Sequence, residues 1–135
     1  MWGEMIFVHF DGDDVGSCLE LLLLDEDIEL ARKYSASITR ALELIRTTLV
    51  SYRGADIFVL GGDDLVVALP DASFDIAEIE NLRKRFFESC GRTMSAGIGF
   101  SSCEATQNLR RAKLSGKNAI VSSPMIMGVS IHEQV

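Results

Sequence analysis

Two short acidic clusters hold the residues best suited to chemistry. The first is Asp11-Gly12-Asp13-Asp14-Val15-Gly16, and the second is Gly61-Gly62-Asp63-Asp64. Crowded carboxylates repel one another unless a cation sits among them. Hard oxygen donors of this kind suit Mg²⁺ or Mn²⁺, which prefer octahedral oxygen sites and bridge to substrate phosphates. Two such ions in one site can activate a hydroxyl and stabilise a displaced pyrophosphate. Glycines beside the acids leave room for phosphate oxygens to reach backbone N–H groups. Each cluster alone also reads as an ordinary turn, because Asp and Gly are turn formers.

Other candidates are weaker. Lys113 and Lys117 lie four apart, at the end of a helical segment and just past it. They read as a phosphate clamp or as partners of last-turn carbonyls, and spacing alone leaves both open. Arg110 and Arg111 read as surface. His9 sits inside an apolar strand and reads as a satisfied core histidine; His132 carries no signal. No Ser-His-Asp or Cys-His arrangement stands out. The chain has no G-x-x-x-x-G-K-[ST] loop, and no G-x-G-x-x-G follows its first strand.

The acids need elements to hold them. Residues 5–10 form an apolar, β-rich run that fits a strand buried on both faces. A short apolar helix over 15–24 follows. A longer one from about 27 to 52 carries Ile28, Ala31, Ile38, Ala41, Leu42, Ile45 and Leu49 at three- and four-residue spacing, with Gly54 as its stop. Segments 56–60 and 65–69 flank the second acid cluster as a hairpin closed by Pro70. A helix over about 75–90 has the stripe Ile76, Ile79, Leu82, Phe86 and Phe87. A strand over 93–100 contains glycines that suggest close backbone approach. A helix over 104–115 is capped by Gly116, and the tail, 119–133, holds one or two short strands.

The order is βααββαβαβ. Right-handed crossovers make the first two strands parallel, with the third turning back between them. Asp11 and the Asp63/Asp64 turn, far apart in sequence, then meet at one sheet edge.

Composition bounds the rest. A chain of 135 residues, 47% apolar and 24% charged, suits one domain over 1–135. A net charge of −7 speaks against passive nucleic-acid binding. Between Arg83 and Lys117, however, stand eight Lys/Arg and two acids, and a basic segment facing acid clusters suits a metal–polyphosphate ligand. A normal mixed surface is the plainer reading. Cys18, Cys90 and Cys103 are an odd number without metal spacing, which points to a reducing, cytoplasmic compartment. Leu19 to Leu24, the most apolar stretch, is far short of the roughly 20 residues a membrane span needs. The first residues lack a signal-peptide pattern.

Strand-Asp11-x-Asp13-Asp14-x-Gly16, Gly61-Gly62-Asp63-Asp64, Ser95-Ala96-Gly97-Ile98-Gly99 and Ala112-Lys113-x-x-Gly116-Lys117-Asn118 follow one another in order. Together they resemble palm-type nucleotide cyclases, which include GGDEF diguanylate cyclases and the palm of the type III CRISPR large subunit. The subgroup most similar is the minimal CRISPR polymerases (mCpol), because the turn is GGDD and the chain is a bare palm.

The resemblance implies an α/β (α+β), ferredoxin-like palm: a mostly antiparallel sheet with helices on one face. It implies metal-dependent synthesis of cyclic oligonucleotides from nucleoside triphosphates, usually ATP, as antiphage signals. A cyclic di-AMP type of product, made by a homodimer with facing sites, is the expectation. Two Mg²⁺ or Mn²⁺ per site would be held by Asp11 with the Gly12 carbonyl, by Asp63 and by Asp64. Asp64 would alternatively take the proton of the attacking hydroxyl. Gly12, Asp13, Asp14, Val15, Gly16, Gly61, Gly62, Lys113 and Lys117 would contact the nucleotide and its phosphates. A membrane effector sensing the product is a further implied partner; direct nucleic-acid binding and membrane insertion are not expected.

Departures from diguanylate cyclases bear on the base. Their Phe-Lys and guanine-reading Asn correspond to Val15, Gly16 and Leu19, and leucine cannot bond a base edge. Their Arg-Tyr before the glycines is Val59-Leu60. Arg53-x-x-Asp56 resembles an inhibitory motif but lies one residue too close to the turn. A GTP-using cyclase and a non-catalytic nucleotide-binding palm remain the alternatives.

Overall fold

The computed structural model describes residues 4–126 and 132–134, the last three by backbone alone. Strand β1 is Met5–Gly12, followed by helices α1 (Val15–Leu24) and α2 (Ile28–Arg53). The hairpin strands are β2 (Asp56–Leu60) and β3 (Asp64–Pro70). A short 3₁₀ turn leads into α3 (Ile76–Cys90), β4 (Met94–Gly99) and α4 (Ser102–Leu114). Strands β5 (Ala119–Ser122) and β6 (His132–Gln134) finish the sheet, while the predicted tail residues 127–131 and the N-terminal residues 1–3 lie outside the described residues.

The sheet order is β2-β3-β1-β4-β5-β6. Strand β3 pairs antiparallel with both β1 and β2, so β1 and β2 run parallel with β3 between them, as the crossover argument requires. Strand β1 alternates strictly. Ile6, Val8 and Phe10 are fully buried and join Leu65, Val67, Leu69 and Ile98 in the core. Over them lie Ile38, Leu42, Ile45 and Leu49 of α2 with Ile79, Leu82 and Phe86 of α3.

Two positions predicted for the apolar stripes are exposed. Ile28 is the first residue of α2, and Phe87 is turned about 100° from Phe86 around α3. Gly54 caps α2 at a φ of 68°, as expected; α4 is capped by Ser115 and not by Gly116, which lies one residue beyond.

The mixed α/β class and the mostly antiparallel sheet hold, but the helices are not all on one face. Helix α4 packs on the face opposite α2 and α3. A Cβ on Gly97 would come within 2.0 Å of the Ala105 carbonyl oxygen, and one on Gly99 within 2.4 Å of Glu104 Cβ. Only bare backbone admits the helix this closely. The β1→β2 and β4→β5 crossovers step in opposite directions along the sheet with opposed strand directions. Two crossovers of the same hand would then share a face, so one of these departs from the usual right-handed rule.

Candidate active site

The two acid clusters meet at the end of β1. Asp11 is paired with Asp64 across the β1–β3 ladder, and the Gly12 N–H donates to the Asp63 carbonyl oxygen at 2.9 Å. Burial raises the Asp11 carboxyl above the ordinary aspartate value. Lys113 opposes this, and the charges of Asp63 and Asp64 add to it. The three acids sit close enough to repel.

Lys113, from the last turn of α4, reaches into this edge. Its Nζ lies 3.1 Å from Asp11 Oδ2, 3.1 Å from the Gly12 carbonyl oxygen and 2.7 Å from Asp13 Oδ1. An ammonium therefore stands where the Asp11 carboxylate and the Gly12 carbonyl converge. Among the described residues no group of three or more His, Cys, Asp or Glu side chains already surrounds a metal position. The donor set still fits a hard divalent cation: carboxylate and carbonyl oxygens converge on a positive charge, with excess negative charge beside them.

Asp13, expected among the nucleotide contacts, is turned inward. Its side chain is buried, and its carboxylate accepts from Thr93 Oγ1 (2.8 Å), Ser95 Oγ (2.8 Å), Lys113 Nζ (2.7 Å) and the Asn118 N–H (2.9 Å). Burial works against its ionisation, but the bonds from Lys113, Thr93 and Ser95 outweigh it and hold the carboxyl below the ordinary range. Four donors saturate it, so it organises the loop from within.

Asp14 adopts a left-handed conformation, φ 57°, and precedes α1 without capping it. Its carboxylate is the partner of Lys117, whose pKa this hydrogen bond raises. Arg92 donates to the Asp13 carbonyl oxygen at 2.9 Å and approaches Asp14 at 3.7 Å. Both lysines thus lie at the acid edge, each already paired with a carboxylate. Sequence reasoning missed Arg92 and Thr93, and gave Ser95 and Asn118 no role although both stand in the motifs that carry the resemblance. The available signal was the register of β4, where Ser95 faces Asp11 directly.

Beside the edge, Val15, Gly16, Leu19, Tyr34, Ser35, Ile38, Gly62 and Asp63 line a cavity of about 220 Å³. Val15, Gly16, Leu19 and Gly62 were expected there; Tyr34 and Ser35 of α2 were not. Tyr34 OH donates to the Val15 carbonyl oxygen at 3.3 Å, and burial together with Cys18 pushes its pKa up to about 12. A Cβ on Gly16 or Gly62 would meet nothing within 4 Å, so the cavity is open beside both. Gly61, by contrast, has Asp64 folded against it.

Of the readings made on bland grounds, only that of His9 came out differently. Arg53 pairs with Asp75 and Glu78 of α3 rather than with Asp56, and Arg110 and Arg111 are exposed, as expected. His9 is no core histidine: it lies on the α4 side of the sheet, bonded to Asp64 and Thr106. Among the described residues no helix is long and apolar enough to cross a membrane.

A family model described as the minimal CRISPR polymerase domain, mCpol, matches residues 7–123. No curated protein matches the chain. Among solved structures, a Csm1-Csm4 cassette in complex with one ATP superposes with a TM-score of 0.66 at 17% identity, over 97% of this chain and 23% of that one. The same cassette in complex with cA4 gives 0.64 at 18% identity, over 90% and 21%. The active GGEEF domain of a diguanylate cyclase from Vibrio cholerae gives 0.60 at 13% identity, over 91% and 85%. The chain spans less than a quarter of the cassette chains it matches, and at these identities the likeness shows a shared palm fold.

Proposed function

The chain belongs to the minimal CRISPR polymerase family, and from that premise we propose that it is a metal-dependent nucleotidyltransferase. It joins nucleoside triphosphates, ATP above the others, into a cyclic dinucleotide of the cyclic di-AMP type that serves as an antiphage signal. The observation that carries this reading is the meeting of Asp11, Asp63 and Asp64 at one sheet edge, with Lys113 lodged between Asp11 and Gly12. The likeness in fold to a cassette in complex with one ATP supports a nucleotide substrate.

Asp11, the Gly12 carbonyl and Asp63 would hold two Mg²⁺ or Mn²⁺ ions, and we take Asp64 as proton acceptor rather than as a further ligand. When bound, such ions lower the pKa of a coordinated hydroxyl and neutralise the leaving pyrophosphate. Lys113 and Lys117 offer charge-assisted hydrogen bonds to phosphate oxygens. The cavity beside Leu19 takes the base, and Asp64 accepts the proton of the attacking hydroxyl.

Ring closure needs a second nucleotide, which a facing copy in a symmetric homodimer supplies. A membrane effector that senses the product and a cytoplasmic location complete this reading, the latter supported by three free cysteines.

The test is Asp63→Ala. Product formation from ATP should fall to background. Apo thermal stability should stay level or rise, because one of three crowded carboxylates is gone. Near-normal turnover in Asp63→Ala would remove Asp63 from the metal site.

A further inference from the structure

Two side chains of α4, seven residues apart, reach the acid edge from the same helix face. Lys113 binds Asp11, Gly12 and Asp13. Two turns earlier, Thr106 Oγ1 lies 3.1 Å from His9 Nδ1. The other ring nitrogen, Nε2, lies 3.3 Å from Asp64 Oδ2. An ionised carboxylate only accepts hydrogen bonds, so Nε2 carries a proton and donates to Asp64, while the Thr106 hydroxyl, which can donate or accept, pairs with Nδ1. The second carboxylate oxygen is confined as well: a Cβ on Gly61 would come within 2.2 Å of Asp64 Oδ1. Asp64 is thus held by an N–H donor on one oxygen and fits against a bare glycine with the other.

Resting on the transferase reading above, we propose that His9 is a positioning residue that fixes the Asp64 carboxylate for proton acceptance. In that step the hydroxyl oxygen bonds to the α-phosphorus and the α–β bridging P–O bond breaks. Pyrophosphate leaves with the electron pair, and the hydroxyl proton passes to Asp64. His9 keeps its own proton throughout, so its contribution is the orientation of its neighbour. The sequence offered no hint of this, because a histidine in an apolar strand looks the same whether it faces the core or the acids.

The experiment compares wild type with His9→Leu, His9→Gln and Thr106→Val in steady-state turnover of ATP. It adds ¹⁵N NMR of the imidazole rings, which a chain with two histidines keeps simple. His9→Leu should lower kcat by about 10- to 100-fold, the usual scale for losing a group that orients a site residue, with KM within about twofold. His9→Gln, which restores an N–H donor, should recover most of the loss. Thr106→Val, on the surface of α4, should show a smaller decrease in kcat and keeps the test open should His9→Leu misfold. The wild-type His9 ring should carry a proton on Nε2, and Asp64→Ala should shift its signals and not those of the other histidine.

Wild-type kcat in His9→Leu, equal losses in His9→Leu and His9→Gln, or an Nε2 without a proton would each overturn the proposal. A wild-type chain that makes no product while keeping the His9–Asp64 signals would instead overturn the transferase reading, and with it any catalytic consequence of the contact.

Discussion

Asp11 and Asp13 stand two residues apart in the same acidic run, yet they do opposite things. Asp11 is half-buried among other carboxylates, which raises its pKa, whereas Asp13 is enclosed by four donors, of which Lys113, Thr93 and Ser95 lower it. Replacing Asp13 by Asn removes a charge that Lys113 is paired with and leaves one oxygen to serve four donors. Asp13→Asn should therefore cost about 2 kcal/mol or more, measured by urea denaturation at neutral pH. The pH dependence has a definite sign. A carboxyl depressed in the folded state contributes stability above its unfolded value of 3.8, and that stability is lost as pH falls below 3.8 through the folded value. The difference between wild type and Asp13→Asn should narrow across that acidic window. A constant difference down to pH 2 would contradict the assignment. None of this was legible in sequence, because β1 ends at Gly12 and strand alternation no longer says which way the next acid points. Tyr34 was legible and overlooked: it falls between Ala31 and Ile38 in the three- and four-residue series that marks the buried face of α2.

At the scale of elements, α4 sets the geometry of the acid edge, since Thr106 and Lys113 both belong to it. Its seat depends on Gly97, where a Cβ would also come within 2.2 Å of the Leu109 backbone nitrogen. Backbone atoms cannot yield as a flexible side chain can. Gly97→Ala should thus push the helix outward at a cost of about 1–3 kcal/mol, the usual range for overpacking. Product formation should drop more than the stability loss alone explains, because both contacts to the edge move together. Chemical denaturation combined with turnover of the folded fraction checks this. Full activity per folded molecule would show that α4 does not position the site. The glycines in the Ser95–Gly99 run announced a close approach. They did not say from which side, and the palm resemblance implied helices on one face only.

For the molecule as a whole, chain order and crossover direction were enough to place β3 between β1 and β2 and so to bring residues 11 and 63 together. That inference survived because it rests on strand pairing and not on side-chain detail. The acid edge with the cavity beside Leu19 accounts for one nucleotide, whereas the proposed cyclic dinucleotide needs two, each attacking the other. Specific activity should therefore fall on dilution, in step with loss of dimer in sedimentation, as for any site completed by a second copy. Activity independent of concentration through the monomer range would contradict the facing-site arrangement.

The central claim, transfer chemistry on an adenine nucleotide at the Asp11–Asp63 edge, is tested most directly by one competition assay. The chain is incubated with equal ATP and GTP and with Mg²⁺ or Mn²⁺, and the products are identified by mass spectrometry. The cavity presents Leu19, Val15 and Ile38; the Tyr34 hydroxyl is already donating to a backbone carbonyl and Asp63 is assigned to the metal, which leaves the Ser35 hydroxyl to meet a base edge. Guanine would leave polar groups unpaired there at about 1–3 kcal/mol each. The account predicts a cyclic dinucleotide carrying adenine over guanine by at least about tenfold, the factor that about 1.4 kcal/mol supplies. A mixture dominated by cyclic di-GMP would contradict the base assignment, and no phosphodiester product with either metal would contradict the transferase itself.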